Sequence, residues 1–236
     1  EDLAGEILDE SKVVEDFEAV GLPMSQGYGM TENSPIIAVN RDCYSIASSV
    51  GQPLPGTEVK ISNPDETGVG EIICKGPSVM KGYYKNQEET DKVLKNGWLY
   101  TGDYGYLDKD GYLYISGRKK NVIIAKNGKN IFPEELEYYL AETGYIQEAL
   151  VHEEASERDD DIVVKAQIYP DFEKIREEKG QMDEEQLRAF IGGLVDQVND
   201  KLPLYKRIKR FAIRHEEFEK TTTRKIKRHS ASNYVV

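Results

Sequence analysis

Cysteine is scarce. The chain of 236 residues holds two, Cys43 and Cys74, at a spacing that matches no metal-binding pattern. That argues against a disulfide framework and makes a reducing cytoplasm the simplest expectation. Long apolar runs are missing as well. None approaches the roughly 18 residues of a membrane span, and no signal-peptide pattern opens the chain. Positive charge is the minority sign, with 31 Lys and Arg against 43 Asp and Glu and a net charge of -12. That balance argues against a nucleic-acid-binding surface. It would also repel any anionic ligand, so such a ligand needs local cations, which cluster at Lys119-Lys120, Lys206 to Arg210 and Lys220 to Arg228. Internal repeats and low-complexity segments are absent.

What is present is an ordinary globular profile, 39% apolar, long enough for one large or two modest domains. Ile7, Leu8, Val13, Val14 and Phe17 outline a rough apolar helix face near the start. Gly21-Leu22-Pro23 breaks it, and Met24 to Tyr28 reads as a short strand entering a loop. Short strands are expected at Glu58 to Ser62, Gly70 to Lys75 and Trp98 to Asp103, separated by turns such as Asn63 to Gly68. This is the rhythm of an antiparallel sheet or small barrel. Asp108 to Gly111 forms a hairpin turn, with Gly111 supplying positive φ, and leads into an alternating strand at Tyr112 to Ser116. Past Gly117 the pattern changes. A buried strand is expected at Val122 to Ala125, and a helix with Pro133 in its first turn and Glu134 and Glu135 at its positive end. Strands at Ala149 to His152, Ile162 to Tyr169 and Arg207 to Arg214 alternate with a helix from a capping box, Asp183 and Gln186, to about Lys201. The acidic cluster Glu153 to Asp161 reads as a solvated loop. A compact α+β domain follows a boundary at Gly117 to Lys120.

Three blocks carry chemistry. The first is QGYGMTENSP, Gln26 to Pro35. A glycine-rich turn lets backbone approach a ligand, a hydroxyl can bond a phosphate oxygen, and a carboxylate can hold Mg²⁺. Taken alone, it reads more simply as a strand-to-turn corner. The second, YTGDYGYLDKDGYLYISGRKKNVIIAKNGKNIFPEELE, runs from Tyr100 to Glu137. In it Asp103 can accept hydrogen bonds from both hydroxyls of a ribose. Arg118 offers a planar, permanently charged fork to ribose and phosphate oxygens. Alone, the pair reads as a turn aspartate and a surface arginine. The third is KTTTRKIKR, Lys220 to Arg228, which in isolation is a basic tail.

In this order, the blocks resemble those of AMP-forming acyl-CoA synthetases of the adenylate-forming superfamily, most of all bacterial long-chain fatty-acid–CoA ligases. The resemblance implies an α/β and α+β fold. Residues 1–117 would be the C-terminal portion of the large AMP-binding domain, built as a sheet and small β-barrel. Residues 118–120 would be the hinge, and 121–236 a small mobile α+β domain. It implies that Tyr28 packs on adenine, that Thr31 contacts the α-phosphate and substrate carboxylate, and that Glu32 coordinates Mg²⁺. Gly27, Gly29 and Met30 would line the acyl pocket. Asp103 and Arg118 would grip the ribose, Lys120 would be the hinge pivot, and the Gly128 loop would approach the pantetheine tunnel. Lys225 would stabilise the charge built up on the α-phosphate and the attacking carboxylate.

By the same resemblance, a carboxylic acid, expected to be a long-chain fatty acid, reacts with ATP to acyl-AMP and then passes to coenzyme A. ATP or AMP, Mg²⁺ and coenzyme A are the implied cofactors and co-substrates. Two departures stand out. Arg224 occupies the usual glycine position and Glu219 a frequent proline position. The family's Ser/Thr/Gly-rich phosphate loop has no counterpart before Gly27. With no initial methionine either, the expectation is a C-terminal fragment, incompetent alone and partnered by the missing N-terminal part, with a homodimer admitted. The expected location is cytoplasmic, or peripheral at a membrane for the full-length enzyme. Two alternatives stay open: delivery to an acyl-carrier protein, or a non-catalytic module that binds AMP or a partner.

Overall fold

A computed structural model describes residues 14, 16–41, 45–155, 162–222 and 224–235. The chain divides into two compact units between Lys120 and Asn121, each with its own apolar core. Among the described residues, no helix is long and apolar enough to cross a membrane.

In the first unit, positions 14 and 16–19 are helical, with Val14 buried and Phe17 exposed. Ile7, Leu8 and Val13 of the expected helix lie outside the described residues, as does Cys43. Strand β1 (Gly27–Gly29) pairs antiparallel with β2 (Ile36–Val39), which pairs with β3 (Gln52–Pro53). The second sheet comprises β4 (Glu58–Ser62), β5 (Gly70–Lys75), β6 (Leu94–Lys95), β7 (Trp98–Leu107) and β8 (Leu113–Arg118). Its order is β4-β5-β7-β6, with β8 on β7, and its pairings are antiparallel. Strands β4 and β5 occupy the residues the sequence pattern assigns. Between them the Asp65 carboxylate accepts the N–H groups of Thr67 and Val69 and holds the turn. Strand β7 runs past Asp103 to Leu107 because β8 gives it a partner over that length. At their hairpin, Asp108 Oδ1 accepts from the amides of Asp110 and Tyr112, and Gly111 takes φ +81°. The inward residues Tyr28, Ile37, Ile72, Leu99, Leu113 and Cys74 form the core. Burial pushes the Cys74 thiol up to about 11. A short helix, α1 (Gln87–Val93), is capped by the Asn86 side chain, which accepts from the Glu89 amide.

In the second unit, β9 (Ile123–Ile124) and β10 (Asn130–Ile131) flank an exposed loop, followed by α2 (Pro133–Ala141) with proline in its first turn. Strands β11 (Ile146–Ala155) and β12 (Ile162–Pro170) are antiparallel. Helices α3 (Phe172–Lys179) and α4 (Glu184–Lys201) then lead to β13 (Arg210–Ile213), parallel to β12. The expected capping box closes α4: Asp183 accepts from the Gln186 amide while the Gln186 side chain accepts from the Asp183 amide. Such a cap is worth about 1 kcal/mol. Leu136, Leu140, Ile168, Ile191 and Val198 fill the space between sheet and helices.

Strands β11 and β13 are bounded differently from the sequence reading. Strand β11 extends into the acidic cluster because Glu154 finds Lys165 at 2.8 Å and Arg210 at 2.7 Å. The rest of that cluster, 156–161, lies outside the described residues. Strand β13 begins at Arg210 rather than Arg207. Asn199, on α4, holds Ile208 through both its N–H and its carbonyl, so the chain there packs against the helix instead of extending.

Candidate functional site

The first block folds as a strand end and a tight turn. Gly29 lies so close to the Pro35 carbonyl that a Cβ there would sit 2.1 Å from the oxygen, so the approach requires glycine. Past it, the Met30 amide donates to that same carbonyl, and Thr31 to Asn33 form one 3₁₀ turn. The turn leaves Thr31 exposed, Glu32 half-buried and Met30 against the core. Gly27 is exposed at the start of β1.

Tyr28 points the other way, into the protein. It is 1% exposed, and its phenol donates to Asp103 Oδ2 at 2.6 Å. Asp103 is itself 2% exposed, and its Oδ1 faces Arg118 Nε at 2.9 Å. The sheet brings these three together because Asp103 on β7 lies opposite Arg118, the last residue of β8, in register. Arg118 is therefore part of the strand rather than beyond it. Thr101 completes the corner: its hydroxyl donates to the Ile72 carbonyl and accepts from the Asp103 amide. Burial, then the Asp103 charge, raises the Tyr28 phenol well above its ordinary value, so it stays a donor. Lys119, next along, pairs with Glu71 at 2.7 Å.

Sequence reasoning missed a partner for Glu32. The Tyr83 phenol donates to Glu32 Oε1 at 2.8 Å. Burial first, and then Glu32, push that phenol up to about 12. No local pattern joins residues this far apart in the chain. Among the described residues no group of three or more His, Cys, Asp or Glu could hold a metal ion by itself. One carboxylate nevertheless suits Mg²⁺, which keeps several waters and relies on substrate phosphates for the rest of its shell. Glu32, half-buried with one oxygen oriented by Tyr83, fits that part.

In the second unit, Gly128 lies at the exposed tip of the β9–β10 loop with φ +78° and open space around it. Lys120 closes the first unit, exposed, within a 3₁₀ turn from Lys119 to Asn121. Lys225 lies on a tight hairpin. Lys220 and Ile226 form an antiparallel bridge, the Thr221 amide donates to the Lys225 carbonyl at 2.7 Å, and the Arg224 amide donates to the Thr221 carbonyl at 3.0 Å. The Lys225 amide donates to Thr221 Oγ1 at 3.2 Å. Arg224 takes φ +66°, the left-handed conformation for which glycine is the usual residue.

Residues 4–84 match the family model described as AMP-binding enzyme. A long-chain-fatty-acid–CoA ligase of Bacillus subtilis (strain 168) is 46% identical over 149 residues, covering 59% of this chain and 26% of the ligase. A 2-succinylbenzoate–CoA ligase of Oceanobacillus iheyensis is 42% identical over 143 residues, covering 58% of this chain and 29% of the ligase. The chain thus spans between a quarter and a third of the length of these curated relatives. Among solved structures, the Bacillus subtilis O-succinylbenzoate coenzyme A synthetase in complex with ATP and magnesium ion superposes with a TM-score of 0.76 at 30% identity, covering 94% of this chain and 44% of the synthetase. This partial coverage fits a piece of a longer protein, with the fold of the C-terminal portion of those enzymes. The chain is similar, over residues 4–84 and in its C-terminal-type fold, to adenylate-forming AMP-binding enzymes, with AMP-forming acyl-CoA ligases among its relatives.

Proposed function

We propose that the enzyme containing this chain activates a carboxylic acid as its adenylate and transfers the acyl group to coenzyme A. The observation that carries this reading is the Tyr28–Asp103–Arg118 corner, in a chain whose relatives are CoA ligases. Residues 1–117 act as part of the large nucleotide-binding domain, 118–120 as a hinge and 121–236 as the mobile domain.

A carboxylate is a poor electrophile, and joining it to AMP supplies a good leaving group. In the first step a carboxylate oxygen attacks the α-phosphorus of ATP, the bond to the β-phosphate oxygen breaks, and pyrophosphate departs. Asp103 accepts from the ribose hydroxyls with Arg118 beside it, and Tyr28, buried beneath the site rather than facing the adenine, fixes Asp103 through its phenol. Thr31 bonds the α-phosphate, and Gly27, Gly29 and Met30 border the acyl group. The Lys225 ammonium stabilises charge as it grows on phosphate and carboxylate, a role typically worth about 10²–10³ in rate. Mg²⁺, when bound at Glu32, would neutralise phosphate charge. In the second step the small domain turns about Lys120, withdrawing Lys225 and presenting the Gly128 loop. The CoA thiol, losing its proton, attacks the acyl carbonyl, and AMP leaves with its electron pair.

A long-chain fatty acid is the favoured substrate, supported by the 46% identity to the Bacillus subtilis ligase. An aryl acid is the competing substrate, since a 2-succinylbenzoate ligase is 42% identical. The cytoplasm, or a membrane surface for the longer enzyme, suits either. Carboxylate-dependent ATP–pyrophosphate exchange, run on the longer enzyme with short, long and aromatic acids, tests both points. Exchange strongest with long-chain acids is expected. Exchange with no acid would leave a nucleotide- or partner-binding module as the reading. In the same enzyme Lys225→Ala should depress acyl-AMP formation about 100-fold or more while sparing CoA transfer from supplied acyl-AMP. A bulky residue at Gly128 should show the opposite bias.

A further inference from the structure

The hairpin that carries Lys225 does not stand by itself. Asn233, 0% exposed, grips both of its arms. Its Oδ1 accepts the Glu219 amide at 2.7 Å, and its Nδ2 donates to the Glu219 carbonyl at 3.1 Å and the Lys227 carbonyl at 3.0 Å. The Lys227 amide in turn donates to the Glu219 carbonyl at 2.9 Å, closing the base of the hairpin. The Glu219 carboxylate pairs with Lys227 and accepts from the hydroxyls of Ser230 and Ser232.

The segment that presents Asn233 is fastened to the rigid sheet. Arg214, 5% exposed, donates to the Ser232 carbonyl at 3.1 Å. Gln167, fully buried on β12, holds Val235 from both sides, donating to its carbonyl at 3.0 Å and accepting its amide at 3.1 Å. The Tyr234 ring meets His152 edge-on at 4.7 Å, and its phenol donates to the Arg228 carbonyl. Arg228 is itself paired with Glu137 of α2 and donates to the Val151 carbonyl of β11.

We propose that residues 230–235 are a strap that transmits the position of the β11–β12 sheet to the Lys225 hairpin, with Asn233 as the positioning residue. The inference rests on the adenylation role proposed for Lys225. It also explains a departure from the family pattern. Proline has no N–H, so a proline at 219 could not donate to Asn233 Oδ1, whereas Glu219 does so and adds a carboxylate that ties the strap to the hairpin. A long, flexible lysine acts as an electrostatic catalyst only when its backbone is fixed, because small misplacements cost orders of magnitude in rate. The strap supplies that fixation with one buried amide, which is why the hairpin tolerates an exposed tip.

Amide hydrogen exchange on this chain is the direct test. In Asn233→Ala, exchange at Thr221, Lys225 and Lys227 should accelerate at least about tenfold while the β12 amides keep their protection. Unchanged exchange at the hairpin would overturn the strap. Glu219→Pro, which removes the amide donor and the carboxylate that tie the hairpin to the strap but leaves Asn233 in place, keeps the test decisive if Asn233→Ala loosens the whole unit, and should accelerate the same hairpin amides. In the longer enzyme, Asn233→Ala should lower the maximal rate of acyl-AMP formation about tenfold, with KM for ATP and CoA transfer from supplied acyl-AMP each within about twofold. Equal loss in both half-reactions would overturn the positioning role. A wild-type enzyme that forms no acyl-AMP would instead overturn the function proposed for Lys225, and the exchange arm would still decide whether the strap holds the hairpin.

Discussion

At the Asp103 corner, a buried mid-strand carboxylate meets an arginine at the end of the neighbouring strand, and water is largely kept out. At Lys225, the charged groups line a hairpin whose turn is exposed. The corner gets its geometry from few partners, each expensive to lose: Asp103 is held between a buried phenol and an arginine whose side chain is 16% exposed. The hairpin gets its geometry from many weak bonds spread over Glu219, Asn233, Ser230 and Ser232. A buried ion pair fixes one arrangement and penalises every other, because a stranded charge has no water to replace its partner. Around the buried Asn233, the hairpin's exposed bonds can go singly at little cost. On the proposed function, the first would suit a site that keeps hold of one nucleoside through two reactions, and the second a loop needed in only one.

The sharpest way to break this comparison is to strand Asp103. Arg118→Met removes the guanidinium and leaves a carboxylate that is nearly inaccessible to water. The expected loss is about 3–5 kcal/mol from the unfolding transition of the first unit in urea. A loss under about 1 kcal/mol would mean that water reaches the corner and that its burial does not set its energetics. Tyr28→Phe tests the same corner more gently. It takes one hydrogen bond from a charged acceptor and keeps the ring in the core, so about 1.5–3 kcal/mol is expected. It should also lower the affinity of the longer enzyme for AMP, measured by calorimetry, since Asp103 loses its orienting donor.

On the hairpin side the expected effects are smaller and depend on pH. The Glu219 carboxyl is held down from its ordinary 4.5 to about 2, first by Lys227 and then by the hydroxyls of Ser230 and Ser232. A carboxyl depressed in the folded state stabilises above its unfolded pKa, and that contribution fades as pH falls through the folded value. The carboxylate part of the link between strap and hairpin is thus intact at pH 5 and weakens between about 4.5 and 2. A carbon-detected titration should give Glu219 a midpoint near 2, with hairpin amide exchange rising over the same interval. A midpoint at the ordinary glutamate value would dissolve the network.

How much of this was legible in the sequence follows from how local each signal is. The strands at Glu58–Ser62 and Gly70–Lys75 and the capping box before Glu184 could be read directly, since alternation and capping are decided by near neighbours. Helix α3 was invisible because Ile175 is its buried residue, which leaves no apolar stripe. Helix α1, at seven residues, has Thr90 buried and is otherwise mostly charged. Strand β3 contains Pro53, which normally demotes a strand reading. For the site, the motif blocks named Tyr28, Asp103 and Arg118 through resemblance. That the Tyr28 phenol holds Asp103, 75 positions away, required the sheet. Tyr83 on Glu32 and Asn233 on Glu219 belong to the same class, being side chains with no local pattern whose meaning comes from long-range folding.

The smallest expected effect lies at Arg224, where two opposing terms nearly balance. Its φ of +66° places an L-residue in the left-handed region, a strain of about 1–2 kcal/mol that glycine does not feel. Arg224→Gly relieves that strain but gives the unfolded chain more freedom, which costs about 0.4–1 kcal/mol. The side chain is exposed, so little packing is lost. The net should be a stabilisation of about 1 kcal/mol or less, seen as a slight rise in the melting temperature of the second unit. A clear destabilisation would reverse the view of the hairpin's exposed tip as a set of weak, replaceable contacts. It would mean that the Arg224 side chain contributes more than its backbone strain costs, and that the arginine at this glycine position is itself a structural element of the Lys225 loop.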